Sequence, residues 1–446
     1  MSRNNNILEK ELLLIKTAIK DAQKNKPNVN NPINNKMFNI LKHFLKSTKH
    51  ICYGGTAINN ILPLKEQFYN KNIELPDYDF FSPNARQTSI ELADLYYLNN
   101  FLEVEAKSGI HVGTYKVFVN SIPVADITQL DSEIFDKLQQ NSIIKNGIYY
   151  ASPNYLRMAA YIELSRPNGD ISRWEKVWPR LVLLNKYYPF ETSKCTIKDF
   201  IRTFDAPINS LPIIYNVILN SIIEQNLIFF GGYAVYSYSK YLPLKERQLL
   251  ITHPDFDVLA INPLKSATII RKNLAKHNIL NVKIIKHDPI GEIIPEHYEL
   301  QIGEETLLFL YKTVACYSYN TIKRNNQTIN IATIDTMLSF YLAFLFINRD
   351  YYNPKRILCL AHYLFTIQLK HRLKQKGILK RFTVKCYGKQ ETLEETRKHR
   401  AQAFLYNQTL YNQPNKYKRN NVYRNLFFRY IPTQFHNKTK KIIKIA

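Results

Sequence analysis

Cys52-Tyr-Gly-Gly-Thr-Ala-Ile-Asn-Asn-Ile-Leu-Pro63, followed by two acids one residue apart in Pro76-Asp-Tyr-Asp-Phe-Phe-Ser82, is the stretch from which the fold of this chain is read. A Gly54-Gly55 turn between an apolar run and a helix-like segment marks a strand turning into a helix. Bare backbone N–H groups and a helix N-terminus at such a turn favour an anion, and Thr56 adds a hydroxyl able to cap the helix or hold a phosphate oxygen. The aromatic content of Tyr78-Asp79-Phe80-Phe81 favours a strand, whose period of two points Asp77 and Asp79 to one face. Neighbouring carboxylates raise each other's pKa unless a cation sits with them, and hard oxygen ligands suit Mg²⁺. An EF-hand is excluded, because Phe81 and Ser82 stand where that loop needs a ligand and its glycine.

The pattern occurs twice. Phe229 to Pro243 reads FFGGYAVYSYSKYLP and Pro254 to Ala260 reads PDFDVLA, so the glycines recur 177 positions on (Gly54 to Gly231) and the aspartates 178 (Asp77 to Asp255). Further along, SIIKNGIYYASP (Ser142 to Pro153) matches NTIKRNNQTINIATI (Asn320 to Ile334), both read as strand, Asn-containing turn and strand before an apolar helix. The repeated unit is therefore a whole domain. Expected boundaries are an N-terminal extension at 1–36, a first domain at 37–189, a linker at 190–210, a second domain at 211–368 and a basic aromatic-rich region at 369–446.

A third acid is expected on a neighbouring strand. Asp126 fits, standing alone in the alternating run Val117 to Thr128. It reads either as a third metal ligand that can also accept a proton, or as an acid paired with a nearby Lys or Arg. In the second copy Tyr233 replaces Thr56 while Asp255 and Asp257 remain. Matching the apolar alternation of Val117 to Thr128 with Leu307 to Ser318 places Cys316 opposite Asp126, whereas a gapless register places Glu304 there. The strand match is preferred; on it the second copy lacks the third acid and is inactive, left to brace the first, bind RNA or supply a dimer surface.

Sixty-one Lys and Arg against 36 Asp and Glu give a formal charge of +25 over 446 residues, more than one core usually supports. That excess favours a polyanionic partner. No acid follows Glu395, yet Arg397, Lys398, Arg400, Lys416, Lys418 and Arg419 do, interleaved with Tyr406, Tyr411, Tyr417, Phe427, Phe428 and Tyr430. Such rings stack on bases while cations track phosphates, or else pack a C-terminal helix onto the body. Five scattered cysteines contain no CxxC pair, so neither a zinc site nor a disulfide framework is expected, and a reducing compartment fits. Met337 to Ile347, the longest apolar stretch, is too short to span a bilayer, and no signal peptide is read, so a soluble intracellular protein is expected.

Gly54-Gly55-Thr56, Asp77-Tyr78-Asp79 and the distant Asp126 resemble the DNA polymerase β type nucleotidyltransferases. YGGTAINNILP, PDYDFFSPN and VADIT resemble the poly(A) polymerase catalytic subunits of large nucleocytoplasmic DNA viruses. The likeness spans residues 37 to 365. It implies an α/β (α+β) chain of two tandem nucleotidyltransferase-like domains, mixed sheets flanked by helices, with a basic C-terminal extension. It implies transfer of AMP from ATP to the 3′ end of mRNA, release of pyrophosphate, and two Mg²⁺ or Mn²⁺ ions on Asp77, Asp79 and Asp126. A homodimer or a processivity subunit, and the host cytoplasm or the virion, belong to the same implication. The segment Leu64 to Pro76 is longer than is usual in cellular members, which ties the likeness to the viral group. Ser165 to Arg180 also resembles that group: Ser172 reads as an N-cap, and Arg173, Lys176 and Arg180 fall at i, i+3 and i+7 as one cationic stripe for a triphosphate or an RNA backbone. Trp174 and Trp178 read as core.

Overall fold

Asn31 accepts a hydrogen bond from the Asn34 N–H and Pro32 presets the first turn, so helix α2 starts at Pro32 and runs to Thr48, with an exposed helix α1 (Ser2–Lys24) before it. In this computed structural model residues 2–24, 29, 31–70, 72–190, 195–196, 199–200, 211–241, 255–411 and 426–433 are described. Contacts divide the chain into one unit of residues 1–129, 142–150 and 418–446, and another of 130–141 and 151–417.

The first unit contains strands β1 (Ile51–Tyr53), β2 (Tyr78–Ser82), β3 (Val104–Ser108), β4 (Thr114–Val119), β5 (Ile122–Gln129), β6 (Ile143–Lys145) and β7 (Ile148–Tyr150). They lie in the order β3-β4-β5-β2-β1-β7-β6, with Arg429–Tyr430 added beside β3. Helices α3 (Gly54–Ile61) and α4 (Ala85–Leu98) complete it. Leu41 and Leu45 of α2, Ile51, Phe80 and Ile127 are fully buried, each worth about 1.5–3 kcal/mol.

The second unit repeats the order with β8 (Ile228–Phe229), β9 (Phe256–Ala260), β10 (Val282–His287), β11 (His297–Ile302), β12 (Glu305–Lys312), β13 (Tyr317–Arg324) and β14 (Gln327–Ala332): β10-β11-β12-β9-β8-β14-β13, extended beside β13 by β15 (Cys386–Tyr387). The repeat read from the sequence is thus a repeat of topology. Both Asn turns take the left-handed conformation that joins strands tightly, at Asn146-Gly147 (φ 51° and 78°) and Asn325-Asn326 (φ 47° and 60°).

Unit boundaries depart from the expected ones. Helices α5 (Ser132–Gln140), α6 (Pro153–Leu164) and α7 (Trp174–Tyr187) fall in the second unit, not with residues 37–129. The helices after it in that unit are α8 (Leu211–Glu224), α9 (Gly232–Tyr238), α10 (Pro263–Ala275), α11 (Ile334–Phe344), α12 (Pro354–Lys370) and α13 (Leu393–Tyr411). Every residue of α11 is buried, and α6 packs against it through an apolar face that includes Tyr161 and Leu164. A helix buried on every side needs cover all round, and α6 supplies part of it. Of the expected linker, only Phe190, residues 195–196 and residues 199–200 are described. No helix of the described residues is long and apolar enough to cross a membrane.

Four of the five cysteines are paired, contrary to the expectation of no disulfides: Cys195 with Cys359 and Cys316 with Cys386, across 164 and 70 residues of sequence. Folding, and not a spacing motif, brings them together. Each closes a long loop in the second unit, so reduction is expected to lower the stability of that unit by about 2–4 kcal/mol per bridge. Hydrogen exchange at α12 with and without reductant reads this, and equal protection would refute it.

Candidate active site

Strand β1 runs antiparallel to β2, with Tyr53 opposite Asp79. Strand β2 runs parallel to β5, with Asp79 directly beside Asp126. Neighbouring strands lie about 4.8 Å apart, so two acids of different segments share one level of one sheet. Tyr78 and Phe80 point into the core, which turns Asp79 and, two residues earlier, the exposed Asp77 to the opposite face.

The chain leaves β1 through Gly54 at φ 70°, and a Cβ there would stand 2.5 Å from Asp79 Oδ2. Only glycine lets the backbone cross so close to the carboxylate. Helix α3 begins at once, and its N-cap, Tyr53, offers no side-chain acceptor to the first-turn N–H groups. The Thr56 hydroxyl neither caps α3 nor faces outward. It donates to the Asp77 carbonyl at 2.5 Å, tying the helix to the strand that carries the acids. Lys145 Nζ donates to the carbonyls of Asn60 and Ile61, holding the far end of α3.

Two further residues belong to this face. The Tyr53 ring stacks on Phe81 at 3.9 Å and its hydroxyl is hydrogen-bonded to Thr128 at 2.8 Å. Burial, then the negative field of Asp79, with Asp126 and Asp77 adding to it, pushes the Tyr53 phenol above its ordinary range, so this ring feels all three acids. Lys116, opposite Asp126 on β4, forms an ion pair with it. Asp126 therefore satisfies the ion-pair reading as well as standing beside Asp79. Among the described residues no three His, Cys, Asp or Glu side chains are gathered as a ready metal cage. The donor set still suits a hard divalent cation, being carboxylate oxygens alone on one sheet face.

The second unit keeps the frame and changes its contents. Gly231 lies against Asp257, as Gly54 does against Asp79 in the first unit, and Gly232 lies against Asp255. Tyr233, buried, stands at the Thr56 position, and Arg356 Nη2 donates to Asp255 Oδ2 at 2.6 Å, so a guanidinium sits on this acid. Strand β12 sets Phe309 beside Asp257. The residue equivalent to Asp126 is therefore Phe309, and neither Cys316, which lies beyond β12 in a disulfide, nor Glu304, in the β11–β12 turn, occupies that place. The loss of the third acid stands, with a different residue at the position.

The cationic stripe belongs to the second unit. Arg173 pairs with Glu163 at 2.7 Å, Lys176 is exposed and Arg180 is half-buried. Asp170, not Ser172, caps this helix start, accepting from the Ser172 N–H at 3.2 Å. Trp174 and Trp178, expected in the core, are only half-buried and pack on Phe382, which is itself exposed. In the C-terminal region Arg397 and Lys398 are exposed and Arg400 half-buried on α13, while Lys416, Lys418 and Arg419 lie outside the described residues. Phe428 is buried against Tyr115 and under the Arg86 guanidinium, and Tyr430 donates to Asp94 at 2.5 Å. These two rings hold an edge strand in place and do not serve as stacking platforms for bases.

Residues 39–170 match the family described as the poly(A) polymerase catalytic subunit. A protein of African swine fever virus (isolate Pig/Kenya/KEN-50/1950) assigned as such a subunit is 32% identical over 182 residues, 39% of this chain and 38% of the relative. One of Acanthamoeba polyphaga mimivirus is 30% identical over 172 residues, 38% of this chain and 28% of the relative. The match thus spans well under half the length of these relatives. In fold, the chain superposes on the crystal structure of the Megavirus polyadenylate synthase with a TM-score of 0.77, covering 98% of this chain and 86% of the other at 18% identity. Residues 39–170, the stretch that carries the Gly-Gly turn and the three acids, are thus the part of the chain that is similar to the poly(A) polymerase catalytic subunit family.

Proposed function

We propose that the first unit adds AMP from ATP to the 3′-hydroxyl of RNA, without a template and with release of pyrophosphate. The observation that carries this reading is Asp79 beside Asp126 at one level of the sheet, with Gly54 laid on Asp79 and Asp77 on the same face. The 3′-oxygen attacks the α-phosphorus, the bond to the β-phosphate breaks, and the hydroxyl proton passes to a carboxylate or to water. The α3 N-terminus is placed to receive triphosphate oxygens, and Gly55 exposes its backbone there. Asp77, Asp79 and Asp126 would hold Mg²⁺ or Mn²⁺, two ions by the count of acids. A divalent cation bound there lowers the pKa of the attacking hydroxyl and steadies the leaving pyrophosphate. Lys116 pairs with Asp126 at the edge of this site. Tailing of mRNA in the host cytoplasm or the virion, with a second copy or a processivity subunit, is part of the same proposal.

The test offers purified protein a labelled RNA with Mg²⁺ or Mn²⁺ and each of ATP, UTP, GTP and CTP separately. Extension with ATP is expected, and preference for UTP would overturn the assignment. Gly54→Ala places a methyl against Asp79 at a left-handed φ, a strain of about 1–2 kcal/mol. Displacing the acid by even part of an ångström is expected to cut extension roughly a hundred-fold. Wild-type rates in that variant would remove Gly54 from the site.

A further inference from the structure

We propose that a cleft in the second unit binds an unpaired RNA base, an inference that rests on the reading of the chain as an RNA-handling enzyme. The cleft, of about 340 Å³, opens between α8, α9 and the β13–β14 turn. That size falls within the ~300–1,000 Å³ of small-ligand sites. Three tyrosines line it: Tyr215 on α8, and Tyr233 and Tyr236 on α9. Two of these rings are preset, because Tyr215 and Tyr233 both rest on Phe256, with centroids 4.6 and 5.9 Å away. Rings already held in place lose little conformational freedom when a base stacks on them.

Polar groups around the rings narrow the ligand class. Asn216, Asn325 and Gln327 present carboxamides, each with both donors and an acceptor, the equipment that reads the Watson–Crick edge of a splayed-out base. Among the described residues Arg324 is the one charged residue lining the cleft, and it is hydrogen-bonded to Tyr233. A guanidinium at the mouth suits the phosphate that accompanies a base, and among the described residues no acid lines the wall to repel it. Aromatic faces with a cation and no carboxylate form the combination that holds single-stranded nucleic acid. Leu219, Ile223 and Ile329 make a small apolar floor, too little for an amphipathic helix of a protein partner.

This placement also accounts for the fate of the second copy. Where Thr56 ties helix to strand in the first unit, Tyr233 puts a ring into the cleft wall, so the substitution that removes one kind of site supplies part of another.

The experiment uses the full chain and a short single-stranded RNA carrying 5-iodouridine, photo-cross-linked and mapped by mass spectrometry, beside anisotropy with the same RNA. Adducts on Tyr215, Tyr233 or Tyr236 are expected. Tyr236→Ala and Arg324→Ala are each expected to weaken RNA binding roughly ten-fold, while Tyr236→Phe, which keeps the ring, binds within about two-fold of wild type. Arg324 is exposed and Tyr236 half-buried, so unchanged melting temperatures are expected to accompany these losses. Adducts confined to other parts of the chain, or wild-type affinity in both variants, would overturn the cleft while continued 3′ extension leaves the enzymatic reading intact. Displacement of the cross-link by AMP alone would make it a mononucleotide site and overturn the RNA assignment. A wild-type chain that neither binds nor extends RNA would sink both.

Discussion

Asp79→Asn is expected to lower nucleotide addition at least a thousand-fold, about 4 kcal/mol of transition-state stabilisation, and to leave RNA affinity within about three-fold. Asn has nearly the shape of Asp, so the close passage of Gly54 survives, and only the charge and one hard oxygen donor are lost. On the proposed function that charge would act on the phosphoryl centre through a bound cation, so catalysis is lost while RNA binding is kept. Asp77→Asn is expected to behave alike. Asp257→Asn, the same change at the matching position of the second unit, is expected to leave extension within about two-fold. Single-turnover extension with saturating ATP, alongside RNA binding by anisotropy, reads the contrast. Undiminished extension in Asp79→Asn would end the catalytic reading of the first unit, and equal losses at Asp79 and Asp257 would show that the second copy is not a bystander to chemistry.

The second large effect concerns stability. Asp335, in the first turn of α11, and Arg381 form an ion pair whose side chains are 2% and 5% exposed, and the guanidinium also lies over Trp178 at 4.6 Å. Arg381→Leu strands a carboxylate in the core and is expected to cost about 3–5 kcal/mol, since an uncompensated buried charge costs more than the pair contributes. Asp335→Leu combined with Arg381→Leu removes both charges and is expected to regain most of that loss. Denaturant midpoints of the single and double variants make the test. If the double variant is the sum of two large losses, the site matters for shape and not for charge.

Much of the fold was legible because local chemistry and repetition agreed. The Gly-Gly turn, the Asp-Tyr-Asp strand and the two Asn turns each have a local cause, and their second appearance fixed the order of elements. The register of distant strands was not legible from apolar alternation. Counting from the tight turns would have found it: Asp126 lies four residues beyond Ile122, where β5 starts after the Asn120-Ser121 turn, and Phe309 lies four beyond Glu305. Turn geometry pins register more firmly than alternation does. The Lys116–Asp126 pair was hidden for a related reason. A bulge between Val117 and Phe118, next to Pro123, shifts the hairpin so that Lys116 meets Asp126 and not Ala125. Arg356 at Asp255 and the two cysteine pairs depend on tertiary contacts across long separations, which no window of sequence displays.

The guanidinium on Asp255 has a consequence for descent. If the second copy is inactive, as proposed, gaining chemistry would require it to shed the Tyr233 ring, release Arg356 and put an acid where Phe309 is buried. Removing Arg356 alone strands an acid, and an acid alone at position 309 enters a core without a partner, so each step taken singly costs stability before any activity returns. The path is a ratchet: the duplicate can drift toward new duties, and the way back is closed one residue at a time.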